Sequence, residues 1–421
     1  MVRIFEYLEP SDRVRIEQVC SQWRYLAKKR SWSKYTRFYF EHFGHVTSKH
    51  QFKQIFERVG QHVVELDGWS FWLSCPNLVK PEEIKTTVFE LFPLLTKLQH
   101  LNMINCRWET PDLDLISDCL PQLKSIVVES VMGSAFTNFT SLLTKCNQLE
   151  VLQIRDGFSP VDEYIWTTIP PKLKCLEIAP SVLCESLSNQ LSKIELVSLI
   201  LIGNYGDHVI LEQLQRVDLT WIRHAGLVLS QQTFENLMPE IFSRFPQLQA
   251  LDLEFTCRNP EYVISAILDH CLKLEHLKLQ HCGRHPANVI EIKSDNLVHI
   301  AQLQNLKSFW VNIGSKENTK KLFELLVENG NLEYFRTFEE LPMDLVRESV
   351  TKCKFYDEIE AVKEGEDQKH MLYLSRPSDK LSANQSRWVK YLCQDSQHGD
   401  RETLLFCCDL LFFGPISKIK Y

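Results

Sequence analysis

One short apolar pattern returns along most of this chain, and it constrains the fold more than any other feature. Apolar residues stand at positions 1, 4 and 6 of a unit that recurs about every 23 to 26 residues, as in the copies beginning at Leu98, Leu123 and Leu149. Positions 4 and 6 follow the alternation of a strand with one buried face. A unit this short cannot bury its apolar side alone, so neighbouring units must stack. The sequence therefore predicts a solenoid.

The spacing is that of leucine-rich repeats. The clearest copies begin at Leu98, Leu149, Leu173, Leu248 and Leu274, and weaker copies begin at Gln61, Leu123, Leu196, Leu214, Leu306 and Leu332. Helical stretches with apolar residues three and four apart lie between strands, at residues 137–146, 234–245, 262–271 and 320–329. We predict an α/β fold, a solenoid with a curved parallel sheet and helices on its convex side. The step from Leu196 to Leu214 is too short for a strand and a helix, so one of these two copies lacks a helix or is misassigned.

Composition and charge are those of an ordinary globular protein, with 44% apolar and 24% charged residues. The longest apolar stretch, residues 404–413, is well short of the ~20 residues that span a bilayer. Charges near Met1 interrupt the apolar core that a signal peptide needs, and the 14 cysteines lack the paired spacing of a disulfide framework. We expect a cytoplasmic or nuclear protein that does not act on membranes.

The charge is uneven along the chain. Residues 1–60 hold 12 Lys and Arg against 6 Asp and Glu, whereas the rest of the chain holds 35 against 48. A protein that binds nucleic acid needs a basic face. We therefore do not expect a nucleic-acid partner for the repeats.

Residues able to carry chemistry indicate no metal, cofactor or catalytic centre. The densest His and Cys cluster, at residues 270–285, straddles a predicted strand, so Cys271 and Cys282 stand too far apart to converge on one zinc ion. The sequence lacks the glycine loop that cradles phosphates and the nucleophile elbow of hydrolases. We predict a non-catalytic protein. A Cys/His pair formed in space stays open as a third interpretation, and activity that a single Cys or His change abolishes would support it.

The first forty residues do not repeat, and they predict two short helices. The first ends near Leu8, because Pro10 disfavours helical geometry in the residue before it. The second begins at Ser11 and carries an apolar stripe of Ile16, Val19, Cys20, Trp23 and Leu26 with Ala27. About 40 residues cannot support a large core, so we expect part of this stripe to bind an outside partner. The alternative is that the stripe only attaches the helices to the first repeat.

This segment resembles an F-box. The resemblance rests on Ile4-Phe5-Glu6-Tyr7-Leu8-Glu9-Pro10-Ser11-Asp12-Arg13, on Val19-Cys20-x-x-Trp23-Arg24-x-Leu26-Ala27 and on Trp32. An F-box joined to repeats is similar to the F-box/leucine-rich-repeat family, and the cysteines that flank the strands resemble its cysteine-containing repeats. We assign residues 1–45 to a small helical F-box, 46–340 to the repeats and 341–421 to a C-terminal cap or tail. The family's Leu-Pro-x-Glu start would lie upstream of Met1, so we expect an F-box that is N-terminally shortened or incomplete in its adaptor contact.

The resemblance implies the substrate-recognition subunit of an SCF-type cullin-RING E3 ubiquitin ligase. Its F-box would bind the Skp adaptor, which links it to the cullin scaffold, and its repeats would bind a target protein. The adaptor-binding residues it implies are Ile4, Phe5, Leu8, Pro10, Val19, Cys20, Trp23 and Leu26. The alternative is a free-standing repeat scaffold or inhibitor that does not engage the ligase. Co-purification with the adaptor and the cullin separates the two.

Strand alternation also predicts a target-binding face. If positions 4 and 6 point into the core, positions 3, 5 and 7 face the open concave side, and equal positions on adjacent strands lie ~4.8 Å apart. Two patches follow, an acidic one from Asp218, Asp252 and Glu254, and an aromatic one from Trp310, Tyr334 and Phe338 flanked by Lys278 and Arg336. We expect the aromatic patch to anchor a target peptide and the acidic patch to orient a basic stretch of it. The alternative is that the segment from Met371 folds back over the aromatic residues.

Beyond residue 338 the repeat pattern fades. The charged run at residues 358–367 is typical of a solvated linker, and residues 371–421 hold apolar clusters without a period. Solenoids need a terminal unit that shields the last coil. We expect this segment to supply it.

Overall fold

A computed structural model describes most of the repeat region and part of each end. The described residues are 4–5, 8, 10–33, 35–39, 49–67, 89–103, 110–129, 139–155, 166, 168–201, 214–229, 238–255, 260–281, 294–311, 315–329, 331–332, 334–337, 344, 348, 358–364 and 369–375. The chain divides into two compact units, residues 1–196 with 215–217, and residues 197–214 with 218–421.

Within the described residues, the first unit contains six parallel strands, each hydrogen-bonded to the next one in sequence. They are β1 (Arg37–Tyr39), β2 (Glu65–Asp67), β3 (His100–Met103), β4 (Ser125–Glu129), β5 (Val151–Arg155) and β6 (Cys175–Ile178). Phe38, Leu66, Leu101 and Ile126 stand in register across the first four strands, so one apolar row runs through the sheet.

The described part of the second unit adds six parallel strands. They are β7 (Ser198–Leu201), β8 (His224–Leu229), β9 (Ala250–Phe255), β10 (His276–His281), β11 (Ser308–Val311) and β12 (Tyr334–Thr337). An antiparallel pair, β13 (Glu358–Glu364) and β14 (Lys369–Ser375), extends this sheet, because β14 pairs with β12. The expected solvated linker at residues 358–367 is therefore wrong where β13 forms.

Helices alternate with the strands, as the apolar spacing predicts. Helices follow in the order Pro10–Ile16, Ser21–Leu26, Lys49–Val59, Thr110–Cys119, Phe139–Lys145, Glu185–Leu191, Met238–Ser243, Pro260–His270, Ser294–Ala301 and Lys316–Glu328. A π-helical turn covers Ala27–Ser31, and 3₁₀ turns cover Phe92–Leu94 and Pro180–Val182. The predicted solenoid class is confirmed.

The core consists of the repeated apolar positions. Leu149 and Leu152, at positions 1 and 4 of one copy, are fully buried, and so are Leu248 and Leu253 in another copy. Burying a leucine side chain contributes about 1.5–3 kcal/mol. The repeat supplies two or three such side chains per coil, which explains how coils too small to fold alone form a stable stack.

Two copies were placed wrongly by the sequence pattern. The copy assigned to Leu214 forms no strand. The strand of that coil is β8, in which Ala225 and Leu227 pair in register with Leu251 and Leu253 of β9. Position 4 of this coil holds Ala225, whose small side chain weakens the apolar pattern. The residues from Leu214 match the pattern better by accident, although they form no strand.

The copy assigned to Gln61 is shifted by two residues. Leu66, rather than Val64, pairs in register with Leu101, so Val63 holds position 1. The strand β1 was not predicted at all, although Phe38 pairs with Leu66 and continues the apolar row. The segment assigned to the F-box, residues 1–45, therefore contributes a strand to the sheet of the first unit.

Candidate functional site

The N-terminal helices differ from the single long helix that the apolar stripe predicts after Ser11. The chain forms Pro10–Ile16, turns over residues 17–19 and begins a second helix at Ser21. Cys20 has an extended backbone, with φ −160° and ψ 167°, and its Sγ accepts a hydrogen bond from the Trp23 backbone N–H at 3.4 Å. The cysteine that the stripe placed inside a helix is thus the N-cap of the next one.

A buried arginine connects the two helices to the turn that follows them. Arg13 is 6% exposed, and its Nε and one terminal nitrogen donate hydrogen bonds to the carbonyl oxygens of Leu8 and Ser31, both at 2.8 Å. Its guanidinium lies over the rings of Trp32 and Tyr35, at 5.4 and 5.5 Å from the ring centroids. A desolvated cation over aromatic rings adds favourable electrostatic energy to these hydrogen bonds.

A buried carboxylate connects the same segment to the first coil. Glu17 is 3% exposed. Its two oxygens accept hydrogen bonds from Trp32 Nε1 at 3.0 Å and from Arg58 Nε at 2.8 Å. Arg58 belongs to the helix Lys49–Val59, so the contact joins positions 41 residues apart. The sequence gives no signal for the role of Glu17, because a lone glutamate in a polar stretch looks like any solvated side chain.

Aromatic packing follows the same path. The ring of Tyr35 stands 6.2 Å from that of Phe38, and Phe38 stands 4.5 Å from Phe56, both in edge-on geometry. Trp32, Phe38 and Phe56 are fully buried. The N-terminal segment is therefore fastened to the first coil by residues outside the apolar stripe.

Seven of the eight predicted adaptor-binding residues separate into three groups by solvent exposure. Ile4 and Val19 are 63% and 62% exposed, and Cys20 is also exposed. Leu8, Trp23 and Leu26 are half-buried. Phe5 is buried, and its ring packs on that of Trp23 at 5.4 Å. Pro10 begins the helix Pro10–Ile16, and its side chain lies outside the described residues.

Three of the residues predicted for the target-binding face stand on adjacent strands. Asp252, Lys278 and Trp310 occupy equivalent places on β9, β10 and β11. Lys278 Nζ lies 3.0 Å from Asp252 Oδ2 and 4.3 Å from the Trp310 ring centroid. The lysine therefore joins the acidic and aromatic patches, which the sequence had kept apart.

These side chains are buried, so the expectation of an open face is wrong for them. Asp252, Lys278 and Trp310 are 4–5% exposed, and Gln153, at the same position of β5 in the first unit, is 1% exposed. The sequence placed Asp252, Lys278 and Trp310 at equivalent strand positions, as the register shows. Solvent exposure does not follow from alternation, because a sheet with both faces covered alternates in the same way.

The other predicted face residues are scattered. Asp218 lies before β8, not on a strand, and accepts hydrogen bonds from the Thr220 hydroxyl and backbone N–H at 2.6 and 3.0 Å, which hold its pKa below the ordinary value. Glu254 is half-buried on β9. Tyr334 and Arg336 stand on β12 in register with Ser308 and Trp310, and their side chains lie outside the described residues, as does the whole of Phe338.

Two cysteines of the repeats, Cys146 and Cys271, are buried. Burial raises the pKa of Cys146 to about 11 and that of Cys271 to about 12. The thiolate is the reactive form of cysteine, so these two side chains are poor nucleophiles at neutral pH. The described part of the chain contains no group of three or more His, Cys, Asp or Glu side chains that could hold a metal ion. Among the same residues, no helix is long and apolar enough to cross a membrane.

Comparison with known families identifies the N-terminal segment. The F-box-like family model matches residues 1–38. Residues 1–38 form an F-box-like domain. The match ends at Phe38, which lies in β1, so the repeat assignment rests on the strands and their register. A search of curated proteins found no match to the chain.

Proposed function

We propose that this chain is the substrate-recognition subunit of an SCF-type cullin-RING E3 ubiquitin ligase. Its F-box-like domain binds a Skp-type adaptor, the adaptor links it to the cullin scaffold, and its repeats bind a target protein. The chain supplies no catalytic group in this scheme. It raises the local concentration of target lysines near the ubiquitin-charged enzyme, so that transfer becomes nearly intramolecular. The role places the protein in the cytoplasm or nucleus.

The exposed apolar surface of the F-box-like domain carries the proposal. Glu17 and Phe38 are buried and attach the domain to the helix Lys49–Val59 through Arg58 and Phe56, while Arg13 and Trp32 are buried within the domain. Ile4 and Val19 take no part in that attachment and stay more than 60% exposed. Exposed apolar side chains are available for burial against a partner, and the F-box-like match over residues 1–38 supports an adaptor as that partner. This favours partner binding over the alternative that the stripe only cements the domain.

Adaptor binding by Ile4→Asp/Val19→Asp tests the proposal. A charge at the centre of an apolar contact removes its favourable burial and leaves a desolvated carboxylate, so we expect the affinity for a purified Skp adaptor to fall more than about a hundredfold, in line with two hot-spot residues of ~2 kcal/mol or more each. Isothermal titration calorimetry with the full chain gives the affinity, and circular dichroism checks the fold.

Leu272→Asp is the matched control. Leu272 is 67% exposed on the second unit, so the change adds one carboxylate at an equally exposed apolar residue outside the F-box-like domain and should leave adaptor affinity unchanged. If the unchanged chain does not bind the adaptor, the ligase assignment fails and the free-standing scaffold becomes the better description. If it binds but the double variant binds equally well, the surface is placed wrongly.

A further inference from the structure

A two-residue turn precedes most of the repeat strands, and its second residue is polar in most described coils. This residue stands three positions before the strand, and the position holds Lys97, Gln122, Gln148 and Lys172 in the first unit and Gln247, Lys273 and Asn305 in the second. Several of these side chains reach the neighbouring turn. Asn305 Nδ2 donates to the Leu272 carbonyl oxygen at 3.2 Å, and Lys273 Nζ donates to Gln247 Oε1 at 2.6 Å. The position therefore links successive coils through polar contacts.

Trp221 interrupts this polar row before β8. It is 50% exposed. Its indole N–H is directed toward Asp218, whose pKa is lowered mainly by hydrogen bonds from Thr220, with smaller contributions from Arg244 and from the Trp221 side chain. The polar edge of the ring is thus held in place while much of its apolar surface faces water. Glutamine or lysine is sufficient at this position in the neighbouring coils, so linking the coils does not explain the indole.

A second exposed apolar side chain lies two turns away. Leu272, the first residue of the turn before β10, is 67% exposed, and the turn between them contributes the exposed Pro246. The strands that follow these turns pair in register, so Trp221 and Leu272 are two strand spacings, roughly 10 Å, apart. One exposed apolar side chain is ordinary, but tryptophan with apolar neighbours is typical of binding surfaces. We call residues 220–221, 246–247 and 272–273 the turn edge.

The turn edge carries a charge opposite to that of the repeats. Arg223 and Lys273 are exposed beside it, and neither forms an ion pair with any residue that the structure describes. The carboxylates nearby are compensated, because Glu275 pairs with Lys307 Nζ at 2.6 Å and Asp218 has the guanidinium named above. Two positive charges therefore remain, although the chain beyond residue 60 holds 35 Lys and Arg against 48 Asp and Glu. An acidic partner complements this edge.

The distance between the two apolar side chains suits an extended peptide. In a polyproline II conformation, residues three apart point to the same side and lie about 9 Å from each other. That distance is close to the roughly 10 Å between Trp221 and Leu272. Same-side neighbours on a β-strand are two residues and only about 7 Å apart. The match favours a peptide with apolar residues three apart.

We propose that the turn edge binds a short extended segment of a target protein, in which two apolar side chains three residues apart are set among acidic ones. The apolar pair covers Trp221 and Leu272, and the acidic side chains pair with Arg223 and Lys273. The inference rests on the proposed function only in calling the partner a target. It moves target recognition from the strand face to the turns, and it reverses the charge expected of the target.

A dye-labelled peptide of sequence Glu-Glu-Leu-Asp-Glu-Leu-Asp-Glu tests the surface by fluorescence anisotropy with the full chain. We expect saturable binding that salt weakens. Binding should be at least about tenfold weaker when serine replaces both leucines, when lysine replaces every acidic residue, or when the two leucines are made adjacent. In a chain labelled with ¹⁵N-tryptophan, the peptide should shift the indole signal of Trp221, which the variant Trp221→Phe assigns.

Three variants and a control locate the surface. Trp221→Gln introduces the side chain that the next turn holds at this position, so it should keep the free energy of unfolding and weaken peptide binding at least about tenfold. Leu272→Asp should weaken binding as much, and Arg223→Gln should reduce its salt dependence. Tyr262→Asp is the matched control, because Tyr262 is 56% exposed in the same unit and lies at the opposite end of the helix Pro260–His270 from Leu272. It should change nothing.

Four results would overturn the surface. They are binding of the lysine peptide as tight as that of the acidic one, no peptide shift at Trp221, affinity that Trp221→Gln and Leu272→Asp both leave intact, and self-association of the full chain that Leu272→Asp abolishes, which would assign the edge to a second copy. If Trp221→Gln lowers the free energy of unfolding, Leu272→Asp alone decides.

Failure of this surface and failure of the ligase assignment remain distinguishable. Leu272→Asp should lose the peptide and keep the adaptor. Ile4→Asp/Val19→Asp should lose the adaptor and keep the peptide, because both changes lie in the F-box-like domain.

Discussion

At the scale of single residues, Lys278 determines the character of the second unit's inner face. The sequence predicts that Asp252, Lys278 and Trp310 are neighbours, because strand register follows from the leucine positions. It does not predict that one ammonium group contacts both of the others. The result is a neutral, buried trio in place of an acidic patch and an aromatic patch.

Lys278→Met should destabilise the second unit by about 3–5 kcal/mol, because it leaves the buried Asp252 carboxylate without its cation. Asp252→Leu should cost a similar amount. The double variant should recover most of the loss, since two apolar side chains replace a pair whose desolvation cost offsets much of its attraction. Free energies of unfolding in urea give the double-mutant cycle. Lys145→Met, which breaks an exposed pair with Asp118, should cost far less because solvent screens that pair. Additive losses at Asp252 and Lys278 would contradict the coupling.

His224 predicts a pH dependence of stability. Its pKa is about 3 in the folded chain against an ordinary 6.5, so the unfolded chain binds the proton first as the pH falls. The stability that neutral His224 contributes is therefore present above pH 6.5 and is lost as the pH falls toward 3. As the pH falls from about 7 to about 4.5, the free energy of unfolding of the unchanged chain should decrease more than that of His224→Phe, which has no imidazole to protonate. A difference between the two free energies that stays constant over this range would contradict the assignment, and His50→Phe, which changes an exposed histidine of the first unit, serves as the control.

At the scale of elements, the link between the F-box-like domain and the first coil depends on Glu17. The carboxylate joins the turn after Pro10–Ile16 to Trp32 and to the helix Lys49–Val59. The sequence could predict the helices because apolar residues spaced three and four apart indicate them. It could not predict this link, because the spacing carries no information about which polar side chain is buried.

Glu17→Gln should loosen this link by about 2–3 kcal/mol. The loss is smaller than the ~3–5 kcal/mol of a fully buried pair, because the Arg58 side chain is 20% exposed. Hydrogen exchange should become faster in Pro10–Ile16 and Lys49–Val59 and stay unchanged in Pro260–His270. Asp12→Asn breaks the exposed pair with Arg15 and should have almost no effect. Equal exchange rates in the Glu17 variant and the unchanged chain would argue against the link.

The strands show how far the sequence determines this fold. Most copies of the pattern lie on a strand in the predicted register, because leucine at positions 1, 4 and 6 is fixed by burial. Prediction failed where a buried position holds a small residue, as at Ala225, or where a strand is only three residues long, as in Arg37–Tyr39. The same register brings Asp252, Lys278 and Trp310 onto adjacent strands, whereas Asp218 lies before β8. The burial of the three residues does not follow from the register, because it depends on what packs over the sheet.

At the scale of the whole molecule, β13 and β14 protect an edge. The backbone of β12 would otherwise present unpaired N–H and C=O groups, and such edges promote association between chains. Register places Tyr373 opposite Tyr334 and Met371 opposite Arg336, in the antiparallel sense. We propose that these added strands act as the predicted cap.

Truncation after residue 356 should make the protein associate. Without β14 the edge of β12 is open to pairing with a second chain, so we expect concentration-dependent oligomers by light scattering at concentrations where the full chain stays dispersed. Truncation after Ser375 keeps both strands and is the matched control. If both truncations behave alike, the hairpin does not act as the cap.

The position of Phe38 has a consequence for how this protein can be cut and recombined. The F-box-like domain ends at residue 38, yet Phe38 forms part of β1 and packs on Phe56. In a fragment of residues 1–45, the buried side chains of Trp32 and Phe38 would become exposed to water, and Glu17 would lose its hydrogen bond from Arg58. The domain therefore shares its last residues with the sheet and core of the neighbouring coil. A chimera that keeps the domain must also include the chain as far as β2.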